Sequence, residues 1–349
     1  MRILAVVLAA LVAVNSAAQA PPQREHAHFP PGAIWNQNIS GLVADVNSST
    51  MTAASVGWGT GSTAFQLDFS MHLLYASWAG YANQTLVENA GYFLPDCETG
   101  YPFPVPAIGA VEGWSDYTSC DYSSDDCHLS VVLGNALYES YQSGVDANGL
   151  HSTCVIRWHL NLVYPPEQRG DGCTSADAAG FPIGTMLFTP DDVYAASLLT
   201  NGNLGHALRF TLPNPNMRTN SYVHPASHYG GPTGPSNAIP YGARLRLKAT
   251  FAGGKTVSTF SSNEAVRVML RTLQNYGMFL SDGGNVPLIA DDGMFSTKNW
   301  SDLTMDSHSL FGIALSDFDV MPIGTVYTSQ DCNLNGFGDD VIFSDSYEY

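Results

Sequence analysis

Helical periodicity is scarce in this chain, and that scarcity constrains the fold more than any other feature. One convincing stretch starts at Ser262, an N-cap residue, has Glu264 in its first turn, and places Val266, Met269, Leu270 and Leu273 on one apolar stripe before Tyr276 and Gly277. A shorter one follows Thr189-Pro190-Asp191-Asp192. There a capping hydroxyl, a proline at the first helical position and two acids at the positive end of the dipole predict a helix over Val193 to Leu199. Elsewhere short runs alternate apolar with polar residues and stop at Gly, Pro or Asn. Strands are predicted over Ile39 to Val46 (before an Asn47-Ser48-Ser49 turn), Phe65 to Phe69, Val155 to Leu162, His206 to Phe210, Tyr241 to Phe251 and Met278 to Leu280. Leu129 to Leu133 and Ala136 to Tyr141, joined by Gly134-Asn135, have the turn chemistry of a hairpin. Tyr101 to Ile108 carries three prolines and is extended chain that no central strand accommodates. The expected fold is mainly β, an antiparallel β-sandwich or jelly roll with two helices.

The chain divides by composition. Met1-Arg2, the apolar run Ile3 to Val14 and Ala18-Gln19-Ala20 have the form of a secretory signal peptide, residues 1–20. A Pro-rich flexible lead-in, 21–31, a single β-rich domain, 32–325, and an acidic tail, 326–349, follow. No later apolar run is long enough to span a bilayer, so a secreted or periplasmic protein is expected. Six cysteines, Cys97, Cys120, Cys127, Cys154, Cys173 and Cys332, suit that oxidising destination. Fifteen connectivities are possible; Cys120 and Cys127 are close enough to close a small loop, and the pairing expected is Cys120 with Cys127 and Cys154 with Cys173. No CxxC spacing favours zinc.

Thirteen Lys and Arg against 31 Asp and Glu give a formal charge of -18, which argues against nucleic acid or an anionic membrane surface as partner. Charged residues are only 13% of the chain. With so much Tyr, Trp, Ser, Thr and Asn, the composition suits surfaces that stack sugars on rings and bond their hydroxyls.

Candidate chemistry follows from ionisable groups set among apolar neighbours. Glycoside cleavage needs one carboxyl with a raised pKa and a second, ionised one in the same cleft. Glu139, inside the hairpin, and Asp177, in Thr174-Ser175-Ala176-Asp177, are the first candidates, followed by Asp126 and Asp282. The competing reading is structural, with Asp177 capping backbone amides and Glu139 paired to an arginine. His128, His206, Tyr222, His228, Arg244 and Arg246 are candidate substrate-binding groups. Arg244 and Arg246, on one strand face with Lys248, would serve a polysaccharide lyase that neutralises a uronate while Tyr222, His206 or His228 removes its proton. A histidine metal site is disfavoured because Pro225 breaks the segment between His224 and His228, and a serine hydrolase lacks its GxSxG elbow. A non-catalytic glycan-binding surface protein would gather Trp35, Trp58, Trp78, Trp114 and Tyr138 on one flat sheet. In the tail, Asp331, Asn333, Asn335 and Asp339 sit at alternate positions around Gly336, the pattern of a calcium loop, though the twelfth position is Ile342 rather than an acid. Calcium is the one cofactor expected.

These blocks also carry a resemblance. Trp35-Asn36, Ile39-Ser40, Asp126-Cys127-His128, Leu137-Tyr138-Glu139, Thr174 to Ile183, His206 to Thr211, Tyr222 to His228, Gly242 to Ala249 and Tyr276 to Met278 resemble the sequence blocks of a broad, largely uncharacterised family of secreted bacterial proteins. That family has a tryptophan where this chain has Cys173. The resemblance implies a secreted β-rich domain and no particular activity. The favoured function is a secreted carbohydrate-active enzyme, a glycoside hydrolase using paired carboxylates on an extracellular polysaccharide.

Overall fold

In a computed structural model the described residues are 28–58 and 65–337, so the expected signal peptide, most of the expected lead-in and the chain beyond 337 lie outside them. The hairpin forms as its turn requires: His128–Leu133 and Ala136–Tyr141 pair antiparallel, with Leu133 opposite Ala136 across Gly134-Asn135. Cys154–His159 adds to one side and Leu73–Tyr75 to the other, completing a four-stranded sheet. A six-stranded sheet runs in the order Leu67–Met71, Leu288–Asp291, Leu208–Leu212, Met278–Gly283, Arg244–Leu247, Phe318–Val320. Strand makes up 27% of the described residues and helix 16%, so the protein is mainly β, as expected.

The two sheets share one apolar core. Leu137, Ile156 and Trp158 come from the first, Leu208, Phe210, Leu245 and Leu280 from the second, and Phe181, Ile183, Met186 and Phe188 from the segment between them. The layers form a β-sandwich whose filling includes a stretch of irregular chain. The larger sheet is mixed: Leu208–Leu212 pairs parallel to Met278–Gly283, the long connection between them supplying the crossover that parallel strands need. Leu208–Leu212 is buried along its whole length, so the face opposite Leu208 and Phe210 holds Arg209 inside the protein. The proline-rich segment is extended and marginal, Phe103–Pro106 pairing only with Tyr81–Gln84.

Both expected helices form. Pro190–Ser197 carries a full capping box, Thr189 Oγ1 accepting the Asp192 amide while Asp192 Oδ2 accepts the Thr189 amide. Glu264–Asn275 buries the predicted stripe, but its N-cap is Asn263, not Ser262, with Oδ1 accepting the Ala265 amide. Two local expectations fail. Ser48–Ala54 is a helix rather than a turn, and 39–46 is not a strand. Arg246 explains the second: its Nη1 takes the carbonyls of Ile39 at 2.9 Å and Leu42 at 2.6 Å, so the segment curls around a guanidinium instead of joining a ladder.

Three disulfides close, Cys97–Cys154, Cys120–Cys127 and Cys173–Cys332. The expected Cys154–Cys173 bond does not form, because each of the two meets a partner brought in from far along the chain. Among the described residues no helix is long and apolar enough to cross a membrane.

Candidate functional site

The turn 174–180 turns one carboxylate inward. Ser175 Oγ accepts the Asp177 amide at 3.0 Å and donates to the Phe181 carbonyl at 2.9 Å, and the Gly180 amide closes onto the Asp177 carbonyl. The wholly buried Asp177 carboxylate then meets Arg209, Nη2 to Oδ1 2.6 Å. Burial pushes the Asp177 carboxyl up, and the Arg209 charge only partly offsets it. Burial works against the guanidinium too, but Asp177 first and Asp282 next more than restore it, so Arg209 is a fixed cation beneath the surface.

Beside this pair, on the adjoining strand, Asp282 faces Thr211 in register. It is half-buried, and its Oδ1 accepts the Gly283 amide at 2.6 Å. Desolvation first, and the Asp177 charge second, push its pKa up to about 7. The hairpin contributes His128, whose Nδ1 lies 2.6 Å from Glu112 Oε2 and whose Nε2 lies 2.9 Å from the Ala176 carbonyl. Both partners only accept, so both ring nitrogens carry protons and the ring is an imidazolium. Although burial opposes that charge, Glu112 raises the histidine to about 9 and is itself held below the usual carboxylate range, burial being outweighed by His128.

Above these groups opens a cleft of about 500 Å3. Thr174, Ser175, Ala176 and Ala178 line it, with Tyr141, Asp282 and the exposed Asp126. Burial, with Asp126 and Asp282 nearby, pushes Tyr141 up to about 12. Tyr92, Phe93, Leu94 and Asp96 form a lip on one side, where the exposed Phe93 ring lies nearly parallel to Tyr141 with centroids 6.5 Å apart. The lip is anchored rather than loose. Cys97 is bonded to Cys154, Asp96 Oδ2 accepts the Thr174 amide at 2.8 Å, and the Asp96 carbonyl accepts Arg169 at 2.6 Å. His228 and Gln330 line the cleft as well. A broader, shallower groove of about 720 Å3 lies along Glu264–Asn275, but there Glu264 pairs with Arg267 and Arg271, leaving no converging chemistry.

Two of the four candidate acids, Asp126 and Asp282, meet at the cleft, and the other two lie behind it. Glu139 is fully buried: Oε1 accepts the Gly184 amide at 2.7 Å, and Oε2 accepts Trp158 Nε1 at 3.0 Å and the Ile183 amide at 3.1 Å. Burial pushes it up to about 7, and those donors pull it back. It ties the hairpin to the core segment and has no route to a substrate. The expected pairing of Glu139 with an arginine is replaced by these amides, whereas Asp177 is the acid that meets one.

The lyase constellation does not assemble. Arg244 is spent on the carbonyls of Tyr276 and Gln37 and lies over the Phe279 ring, and Arg246 holds the 39–42 carbonyls and Asp319. Tyr222 is buried, donating to Asp171 and accepting the Gly172 amide. His206 is buried with Nδ1 at the Ala207 carbonyl. Of that group only His228 reaches the cleft. Trp35 and Trp58 are core residues and not part of a flat glycan-binding surface.

In the calcium-like run the backbones of Asn333 and Asn335 donate to the carbonyls of Asp171 and Arg169, Asn335 Nδ2 binds Gln168, and Asp339 lies outside the described residues. Among the described residues the one grouping of metal-ligand type is Cys120, Asp125 and Cys127, whose two sulfurs are already joined as a disulfide. Sequence reasoning missed the lip Tyr92 to Asp96, Glu112, Tyr141 and Gln330. Only the neighbouring cysteines, Cys97 and Cys332, marked two of those places as anchored chain. Comparison with protein-family models, curated proteins and solved structures gives no match.

Proposed function

We propose that the cleft is the active site of a secreted glycoside hydrolase acting on an extracellular polysaccharide. The observation that carries this reading is the convergence of two carboxyl groups in unlike settings, half-buried Asp282 and exposed Asp126, on one aromatic-lipped cleft. Asp282, with its pKa pushed up to about 7, holds its proton up to near-neutral pH and gives it to the leaving glycosidic oxygen as the C–O bond breaks. Asp126, which lines the cleft with Tyr141, is the second carboxyl group, opposite the positive charge that develops on the sugar ring. Asp177 and Arg209 are positioning residues: the Asp177 carboxylate raises the Asp282 pKa, and the Arg209 ion pair at 2.6 Å favours the charged form of Asp177 against the burial that opposes it. Phe93 and Tyr141 offer ring faces on which a sugar stacks. Three disulfides fit secretion.

The test is incubation of the protein lacking residues 1–20 with neutral and uronate polysaccharides, following reducing ends and the ultraviolet absorbance of unsaturated products together. New reducing ends without absorbance, lost in both Asp282→Asn and Asp126→Asn, are expected. Unsaturated product would replace the hydrolase by a lyase, and silence across the panel with retained glycan binding would leave a non-catalytic binder.

A further inference from the structure

Residues 328–335 form a strap along one edge of the cleft, and it is held at several points. The Tyr229 hydroxyl donates to the Thr328 carbonyl, Cys332 is bonded to Cys173, and the Asn333 and Asn335 amides donate to Asp171 and Arg169. The approach is close enough to require glycine beneath it: a Cβ at Gly170 or Gly172 would stand 2.1 Å from the Asn333 carbonyl oxygen or 2.2 Å from that of Asp331. Gln330 projects from this strap to His228, with Nε2 to Nε2 3.0 Å, and to the Tyr229 carbonyl at 2.7 Å.

Two carbonyls decide where the protons are. The Ala178 carbonyl, 3.0 Å from His228 Nδ1, only accepts, so Nδ1 carries the hydrogen. The Tyr229 carbonyl only accepts as well, so the amide end of Gln330 at His228 is its NH2. His228 Nε2 is therefore a lone pair receiving a hydrogen bond, and burial, which holds the ring below the usual histidine range, keeps it neutral. An acceptor of this kind, half-buried in the cleft wall and covered by one exposed side chain, is suited to exchanging partners.

We propose that His228 Nε2 is the acceptor for a hydroxyl of the bound sugar, and that Gln330 of the strap holds its place until substrate arrives. The proposal rests on the reading of the cleft as a glycan site. The exchange is one donor for another, an amide N–H for a sugar O–H, so no buried polar group is left unmet, and the displaced amide finds water at the exposed edge. Substrate hydroxyl orientation is then set by a neutral nitrogen whose direction the Ala178 carbonyl fixes.

Diethyl pyrocarbonate acylates an imidazole nitrogen through its lone pair, and peptide mass spectrometry localises the adduct to His228. Wild-type His228 is expected to react slowly and Gln330→Ala about fivefold faster, the loss of one hydrogen-bonded cover. Cellohexaose, xylohexaose and chitohexaose serve as probes, and at least one should protect His228 in both proteins. Equal rates in wild type and Gln330→Ala, with unchanged melting temperatures, overturn the placeholder role even if an oligosaccharide binds. Hydrolysis of a probe without protection of His228 overturns the acceptor role and leaves the hydrolase standing. Faster reaction in Gln330→Ala with neither hydrolysis nor protection by any probe overturns the glycan reading, and this proposal with it.

Discussion

Glu139 and Asp282 are both acids set in hydrophobic strands, both pushed up to about 7 by burial, and the difference between them separates architecture from chemistry. Glu139 spends both oxygens on amides and an indole that belong to the fold, and nothing outside reaches it. Asp282 has one local amide partner, a buried carboxylate behind it and an open cleft in front. A raised pKa in a fully satisfied carboxylate is a cost of folding, whereas the same shift in a group facing a cavity is available for proton transfer. Asp177 stands between the two: buried like Glu139, it acts on Asp282 through its field.

Exchanging Asp282 for Asn should break the comparison most sharply. Hydrolysis is expected to fall about 1,000-fold, the worth of a general acid, while the melting temperature holds or rises. A variant that instead unfolds would make Asp282 another Glu139. Next in size is Asp177→Ala, which strands Arg209 in the interior and should cost about 3–5 kcal/mol of stability in denaturant titrations. Full stability there would mean that Arg209 has another partner.

The pH dependence follows from groups with folded pKa values above their unfolded ones, among them Glu139 and Asp282 near 7, Asp291 near 6 and His128 near 9, with Asp177, Asp68, His72 and Glu98 shifted the same way. Each binds its proton more tightly in the folded state. Their contribution to stability is therefore fully present below the unfolded values and is lost as pH rises through the folded ones. Glu112, held low by His128, works the other way and sets the acid limit. Melting temperature is expected to fall by several degrees from pH 5 to pH 9, and a flat profile would contradict these assignments. Activity should fall above pH about 7 as Asp282 loses its proton, a limb that Asp282→Asn must remove. The smallest effect is expected of Phe93→Ala, which removes one stacking ring and should raise KM up to about tenfold with kcat nearly unchanged. A fall in kcat alone would place Phe93 nearer the reacting bond than the lip.

What was legible beforehand was local. The hairpin, both helices and the inward turn of Asp177 follow from turn residues, caps and periodicity that lie side by side in the chain. Asp126 and Asp282 were named, yet nothing local ranked them above Glu139, because alternation shows that a residue is flanked by apolar neighbours and not whether its own side opens onto a cavity. The fate of Arg244 and Arg246 was hidden for a related reason: their partners are carbonyls of the chain near Gln37 and Leu42, far away in sequence, and carbonyls leave no trace in a residue pattern. The lip and Gln330 depend on disulfide partners 57 and 159 positions apart, which spacing does not reveal.

Those two long-range bonds divide the cleft between a pair of covalent rings. Cys97–Cys154 encloses Asp126 and Tyr141, and Cys173–Cys332 encloses Asp177, Arg209, His228, Asp282 and Gln330. A protease that cuts one surface loop inside either ring releases no piece, since both halves stay attached to the same molecule. In surroundings rich in peptidases, such a protein could be nicked in each ring and still carry every group of its cleft, its damage visible only when a reductant sets the fragments free.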